Sequence, residues 1–533
     1  MRSKCLFSAR IIAILLVLFA FFLSIGVRLE SFTQKTGAQG LEATYHVLWT
    51  SRTLDHSSAD GHYFLPTVTL IPKLGNPFKW GATVESKGGS YIYTSFPPLG
   101  FIIPEILFDW RPDGLDFLTL ALFNSLIGLV AAVGLGGLAR AVMLSFRSDG
   151  ESRGRSEWAI FALISILYLF LRESLVSHGS VYWPHSLAQL MLIFGAWMAF
   201  RVFQGCRDFL TISMMIIACF LYPALEWTGF IFGLGVSGAL LVDWSNRRHS
   251  SATGTSVNFG ALAPALWALF ATVLAGVALI VHFSIAIGWT DLLLALTSRV
   301  GARSFRIGAA LGLLPGYATS FGALVPIAVF AGLHLQQSKM FPLRQNRAAY
   351  LLLFIVSFPM LENFLLMQHA YQFSFDRLKL AVPMLLLLAI YFERMGYSER
   401  PLYLFSVAYL VISSNLQLFG YDALYYRPWG EINLSNKNLV DEFDKDPRSG
   451  CVLLGSTTLV RGYLNFTFNR DIVESTNFEE LLALAKTDER YCGVGLIATR
   501  NEFVDLPTIL SIELADRTGS VLRTFDALRN QHL

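Results

Sequence analysis

Charged side chains are scarce in this 533-residue sequence, at 15%, whereas hydrophobic residues reach 54% and the mean hydropathy is +0.51. So little polar surface cannot solvate a globule of this length in water, which excludes an ordinary soluble fold and makes lipid the principal solvent. Cysteine is scarce too. Cys5, Cys206 and Cys219 fall at or in expected membrane segments without metal-ligand spacing. Cys451 and Cys492 lie in the C-terminal part, where an oxidising exterior would permit a disulfide and where each also reads as a buried thiol opening a strand. Hydrolase signatures of the Ser/His/Asp kind, phosphate-cradling loops and dinucleotide-binding glycine motifs are absent, as are repeats and low-complexity runs. The net charge of +3 says little about partners, and nucleic acid is not expected among them.

What is present is a succession of apolar stretches, each near the roughly 20 residues that a helix needs to cross a bilayer. They run over 11–27, 117–139, 158–175, 184–203, 209–222, 225–242, 261–287, 316–335, 348–367, 378–392 and 402–419. The fold class is therefore a polytopic α-helical membrane protein with about eleven transmembrane helices. The first stretch follows Arg2, Lys4 and Arg10 but lacks a small-residue cleavage site, so it reads as an uncleaved first span. With the N-terminus inside, the cytoplasmic loops carry Arg147, Arg153 and Arg155, then Arg201 and Arg207, Arg247 and Arg248, Lys339, Arg344 and Arg347, and finally Arg394 and Arg400. Every inside loop is then basic, as short cytoplasmic loops tend to be.

The opposite side receives a long first loop, 28–116, a shorter segment around 288–315, and the tail 420–533. The tail changes character. Strand-like runs at 451–454 and 493–497 flank a helical pattern at 478–485, predicting a small extracytoplasmic α/β domain after a membrane domain of residues 1–419.

The first loop opens with Gly40-Leu-Glu-Ala-Thr-Tyr45-His, continues through Gly61-His-Tyr-Phe-Leu-Pro66 and closes with Tyr91-Ile-Tyr-Thr-Ser-Phe-Pro-Pro-Leu-Gly100. An acidic residue shortly before a Tyr, an extended Phe-Leu-Pro stretch and a Tyr-x-x-x-Pro-Pro-Leu turn, in this order between the first two spans, resemble the GT-C glycosyltransferases. That superfamily includes protein mannosyltransferases and bacterial lipid A aminoarabinose transferases. Glu42 matches the acidic position and Tyr93 to Leu99 the turn. Where several relatives have Glu-Lys before Pro-Pro, this chain has Ser95 and Phe96; Glu85, Asp55 and Asp60 are the alternatives for a second carboxylate.

A second match is the segment Gln368-His-Ala-Tyr-Gln-Phe-Ser-Phe-Asp-Arg377-Leu-Lys379-Leu-Ala-Val-Pro383, where relatives carry a basic residue that contacts lipid-linked phosphate. Independently of that resemblance, Arg377 and Lys379 are cations on the outer side, where charge bias does not require them, and near lipid a charge needs a partner. Arg offers bidentate hydrogen bonds to phosphate and Lys a compact point charge, although snorkelling to head groups accounts for either. Asp291 to Arg306 continues with helical periodicity and puts Arg299, Arg303 and Arg306 on one face, an interfacial helix that is either structural or an entry route for a lipid phosphate.

His46, His56, His62, His178, His185 and His369 all lie in or near outer loops, so a divalent metal held with Glu42 or an Asp is conceivable, but no pair has helical ligand spacing. Asp444-Lys-Asp446 has Asp-x-Asp form and reads as a solvated charge run. Glu362-Asn363 places an ionisable group inside a span, where such groups usually face a cavity.

The resemblance implies an integral protein of a bacterial inner membrane that moves a sugar from a polyprenyl-phosphate donor to a hydroxyl of a glycan, lipid or protein acceptor on the extracytoplasmic side. Inversion would occur, with Glu42 as general base, a role that typically supplies about 10² to 10⁴-fold in rate. Arg377, Lys379 and Arg303 would hold the donor phosphate, while Tyr45, Tyr93, Glu85 and His369 would contact substrate. The rival reading is a transporter or flippase of lipid-linked saccharides, expected to carry midplane charges on interrupted helices in repeated halves.

Overall fold

A computed structural model describes residues 2–38, 40–71, 82–111, 114–146, 156–250, 262–302, 307–337, 346–416, 426–457, 462–475, 477–501 and 506–526. Among these, six helices are long and apolar enough to cross a membrane: Ala9–Val27, Phe117–Ser145, His185–Phe203, Thr228–Arg247, Ala263–Ile287 and Arg347–Leu365. Helices suit the setting because they satisfy their backbone N–H and C=O groups internally, where lipid offers no partners.

The expected span 316–335 is instead a bent pair, Gly308–Phe321 and Leu324–Gln337, with axes 97° apart; counted as one, it makes a seventh. The break falls at Gly322, whose φ of 56° an L side chain rarely adopts. Four further expected spans coincide with helices of 15, 17, 14 and 18 residues: Ser156–Phe170, Phe209–Leu225, Ala381–Arg394 and Glu399–Leu416. Ser156–Phe170 is hydrophobic all round because it is buried all round, wedged between the first span, Phe117–Ser145 and Glu399–Leu416.

The loop between helices Arg172–Ser177 and His185–Phe203 lies inside the protein, so its backbone needs internal partners. Asn124 Nδ2 donates to the carbonyls of Ser177, Gly179 and Val181 at 2.9–3.0 Å. Thr44 Oγ1 donates to Ser180 O at 2.7 Å and accepts from Tyr182 N at 2.9 Å, which fastens helix Leu41–His56 of the first loop to the same turn.

Strand β1 (Thr36–Ala38) pairs antiparallel with β4 (Tyr426–Pro428), joining the first loop to the start of the C-terminal region. Strands β2 (Thr83–Glu85) and β3 (Tyr91–Tyr93) form a hairpin before the Pro-Pro turn. The C-terminal sheet contains β5 (Val452–Ser456), β6 (Ile472–Glu474), β7 (Gly493–Asn501), β8 (Pro507–Asp516) and β9 (Val521–Asp526) in the order β6-β5-β7-β8-β9. Pairing is parallel for β6-β5-β7 and antiparallel for β7-β8-β9. Alternation along β5 sends neighbouring residues to opposite faces. Leu453 packs with Leu481 and Ala485 of helix Phe478–Lys486, while Leu454 joins the core that continues into the membrane helices. Cys451 and Cys492, just ahead of β5 and β7, form a disulfide with Cα atoms 5.3 Å apart.

Candidate functional site

The span Arg347–Leu365 turns irregular in its second half: Pro359 ends helix Arg347–Ser357 in a 3₁₀ turn, followed by Leu361–Leu365, Met367–Gln372 and a second 3₁₀ stretch, Ser374–Leu380. In a 3₁₀ helix residues three apart eclipse each other. Asp376 and Lys379 therefore point one way and Arg377 another.

On the first of these faces, Asp376 contacts the rings of both His369 and His185. His185 opens its helix directly after Pro184, and its Nε2 lies 3.2 Å from Oε1 of Glu226, which terminates helix Phe209–Leu225. Lys379 Nζ is 3.4 Å from the same Glu226 oxygen and pairs with Glu362. Six ionisable groups from five segments thus converge in the interior, all buried except for the slightly open Glu362 side chain. Isolated charges there would be strongly penalised; paired ones persist.

Ligand-type atoms of His185, Glu226 and Asp376 all lie within 4.8 Å of one another, as a metal site requires. His185 Nδ1 makes no hydrogen bond among the described residues, and Asp376 Oδ1 lies in close contact with His185 Nε2. A divalent cation fits this donor set, against the counter-charge of Lys379 beside Glu226.

On the other face, Arg377 Nε donates to Ser320 Oγ at 2.8 Å and Nη1 to Ala370 O at 2.7 Å. Ser320 in turn donates to Glu173 Oε2 at 2.8 Å, and Ser177 donates to Oε1 at 2.8 Å. Arg377 lies against Gly316, where a Cβ would sit 3.0 Å from Nη1, so the glycine gives the guanidinium its room.

The structure gathers Arg377, Lys379 and His369 in one segment and separates the other expected residues from it. Lys379 is held between two carboxylates, where a phosphate was expected. Glu42 is buried in helix Leu41–His56, and its carboxylate accepts backbone hydrogen bonds from Gly462 at 2.5 Å and Tyr463 at 3.3 Å, capping helix Gly462–Phe468 of the C-terminal region. That approach requires Gly462, since a Cβ would fall 2.7 Å from His46 backbone atoms. Tyr45 packs in the same interface, its ring 4.8 Å from that of Tyr463 and 5.7 Å from Phe117, and burial raises its hydroxyl pKa well above the ordinary value.

Tyr93 belongs to an aromatic layer with His46, Phe96, Phe101 and Trp183; His46 is pushed down to about 3 by burial and is neutral. Phe96 reaches His185 at 5.4 Å and His369 at 6.5 Å, so through this layer the first loop borders the ionisable cluster. Glu85 is exposed at the end of β2, opposite Tyr91. Arg303 and Arg306 lie outside the described residues; Arg299 lies in the last turn of helix Trp289–Ala302. Asp446 of the Asp-x-Asp run is buried and pairs with Arg448 at 3.1 Å and Arg523 at 3.5 Å, so the expected solvated charge run is met only by the more exposed Asp444, which pairs with Arg470 at 3.1 Å. Asp55, Glu105 and Asp109 form a second, more exposed acidic group, in which burial and then Asp55 and Asp109 raise Glu105 to about 7.

Sequence reasoning did not select His185, Glu226 or Asp376 as a set, nor Glu173 and Ser320 behind Arg377. The signal for Glu226 and Glu362 was their position at or inside apolar stretches. Nothing in the spacing joins five segments spread over 200 residues of chain.

No family model and no curated protein matches the chain. Solved structures do. The archaeal oligosaccharyltransferase AglB from Archaeoglobus fulgidus, in complex with an inhibitory peptide and a dolichol-phosphate, aligns with a TM-score of 0.51 at 13% identity, over 91% of this chain and 69% of that one. The Archaeoglobus fulgidus oligosaccharyltransferase in its apo form aligns with a TM-score of 0.50, again at 13% identity over 91% and 69%. At this identity the likeness is one of fold: the chain shares the overall fold of the Archaeoglobus fulgidus oligosaccharyltransferase.

Proposed function

We propose that this protein is a membrane glycosyltransferase that moves a sugar from a polyprenyl-phosphate donor to an acceptor hydroxyl, on the membrane face that carries the first loop and residues 420–533. The observation that carries the reading is the buried cluster of His185, His369, Glu226, Glu362, Asp376 and Lys379 next to Arg377, within a GT-C fold. The neighbour of that fold was solved with a dolichol-phosphate, which is the chemistry of such a donor.

Among the described residues, the Arg377 guanidinium bonds Ser320, Ala370 and Tyr371 through Nε and Nη1 and leaves Nη2 over, and in this reading that nitrogen meets the donor phosphate. Lys379 offsets the carboxylates around it. The acceptor oxygen attacks the anomeric carbon, the sugar–phosphate bond breaks with inversion, and the acceptor proton passes to His369, whose Nδ1 is turned toward Asp376. A divalent cation held by His185, Glu226 and Asp376 would supply neutralisation of the charge developing on the leaving phosphate. Glu42, expected as the base, is assigned to docking the C-terminal region, on the support of its bonds to Gly462 and Tyr463. The basic inside loops support a cytoplasmic N-terminus and a periplasmic tail in a bacterial inner membrane.

The test is sugar release from a radiolabelled panel of polyprenyl-phosphate sugars by purified protein in lipid. Asp376→Asn and His369→Gln should bind donor without turnover, Arg377→Ala should bind it more weakly, and Glu42→Gln should retain turnover wherever its tail stays docked. Turnover lost in Glu42→Gln with the tail docked would return the base to Glu42. One observation favours the flippase reading: the pair of helices broken at 97° beside Arg377, with ionisable groups nearby. Donor binding without turnover by the wild type, across the whole panel, would select it.

A further inference from the structure

At the opposite end of the helix bundle lies a groove of about 300 Å³ that the glycosyltransferase reading does not use. Arg10, Ile14, Val17 and Leu18 of the first span form one wall, Val133 of helix Phe117–Ser145 and Trp158 and Phe161 of helix Ser156–Phe170 the other. Except for Arg10 at its mouth, the side chains are hydrocarbon or aromatic. From Arg10 to Leu18 the helix rises about 12 Å, so the groove follows the direction of a lipid chain. Trp158 stands two residues into its helix, and the far end of that helix, Phe170, leads to Glu173 behind Arg377. The groove and the ionisable cluster therefore belong to opposite membrane faces, about 18 Å apart along this helix.

The charges at the mouth are unequal. Trp158 has two guanidinium groups over its ring, Arg10 at 5.5 Å and Arg140 at 4.3 Å from the centroid. Arg140 is committed to Glu157 by hydrogen bonds of 2.9 and 3.1 Å. Arg10 is exposed and makes no ion pair among the described residues, so among them the mouth carries one surplus positive charge above an apolar slot.

We propose that this groove binds one anionic phospholipid of the leaflet on the N-terminal side, with its phosphate on Arg10 and an acyl chain along Ile14, Val17, Leu18, Val133 and Phe161. A guanidinium without a carboxylate at the lipid boundary gains most from a phosphate, to which it presents two parallel N–H donors. Trp158 at the interface supplies an aromatic floor under that cation. A choline head group would add a second cation where one positive charge is already in excess, so the site discriminates by head-group charge. The polyprenyl donor of the proposed reaction is excluded by position, since its phosphate site lies at the other face.

The test compares wild type, Arg10→Gln and Val133→Phe, purified in detergent, titrated with phosphatidylglycerol or phosphatidylcholine and examined by native mass spectrometry. Val133→Phe fills the slot without altering charge, and Val133 is 40% exposed, so the larger ring is accommodated without disturbing the core. The wild type should retain one phosphatidylglycerol, with affinity about tenfold or more above that of either variant, a loss in the range of one charged hydrogen bond. Equal retention by Arg10→Gln, or equal retention of phosphatidylcholine, would overturn the proposal in favour of unselective boundary lipid. A second copy of the chain released by Val133→Phe would overturn it in favour of a protein interface. None of these outcomes depends on whether the protein transfers sugar.

Discussion

Ser320 offers the sharpest test of the proposal that Arg377 is made ready for a phosphate. Its hydroxyl has one hydrogen, which goes to Glu173 at 2.8 Å, so its oxygen is left to accept from Arg377 Nε, also at 2.8 Å. Ser320→Ala removes both bonds at once and leaves a guanidinium N–H and a carboxylate oxygen unpaired in the interior. Each orphaned group costs about 1–3 kcal/mol of stability, moderated at Glu173 by the bond from Ser177. The effect on the donor is separate. A charged hydrogen bond from Arg377 to phosphate contributes about 1.5–3 kcal/mol, which is about 10- to 150-fold in Kd. If Ser320 acts by aiming Arg377, Ser320→Ala forfeits part of that, and the double variant with Arg377→Ala binds no worse than Arg377→Ala alone. The coupling should then be about 0.5–3 kcal/mol. The assay is equilibrium binding of radiolabelled polyprenyl phosphate in lipid nanodiscs, with thermal unfolding of each variant measured alongside. Additive losses would refute the positioning role. Unchanged binding in Arg377→Ala would refute the phosphate role on which it rests.

Three further outcomes follow from other groups. Burial pushes the Asp471 carboxyl up to about 7 from its ordinary 3.8, against the backbone N–H groups of Leu70 and Ile71 that it accepts. The folded chain then holds a proton that the unfolded chain lacks across that window. This group's share of stability, up to about 4 kcal/mol, is present below the lower value, falls as pH rises through the window and is gone above it. Melting between pH 4 and 8 should show this slope in the wild type and lose it in Asp471→Asn; an unchanged slope would refute the assignment. Lys379→Met should cost about 3–5 kcal/mol by leaving Glu226 and Glu362 uncompensated, whereas Glu226→Gln should cost less because Lys379 keeps Glu362; thermal unfolding in lipid gives the order. Reducing the Cys451–Cys492 bridge, with a sequence separation of 41 residues, should destabilise the C-terminal sheet by about 4 kcal/mol on the chain-entropy account, seen as earlier onset of urea-dependent proteolysis within residues 430–526.

The membrane class, the apolar stretches, the first loop and the α/β character of the tail were legible in the sequence. Hydropathy and strand alternation are local properties, so a window of 20 residues contains them. The same window fails where lipid and protein interior look alike. Ser156–Phe170 is as apolar as a span because neighbouring helices surround it, and Gly322 breaks an unbroken apolar run by its backbone angle alone.

The site divides in the same way. Arg377, Lys379 and His369 were visible as unusual groups in one segment, since ionisable residues near lipid stand out by type. Their roles were not visible. The 3₁₀ geometry of Ser374–Leu380 turns Lys379 toward carboxylates and Arg377 toward Ser320, and a periodicity of three over so few residues leaves no mark in composition. Glu42 was selected from its place in the loop, yet its partners Gly462 and Tyr463 lie more than 400 residues away. Composition and local order by themselves determined the solvent, the helices and which side chains are costly to bury. Only the tertiary structure decided which of those costly groups meet, because pairing energy depends on distances of a few ångströms between segments that the sequence keeps far apart.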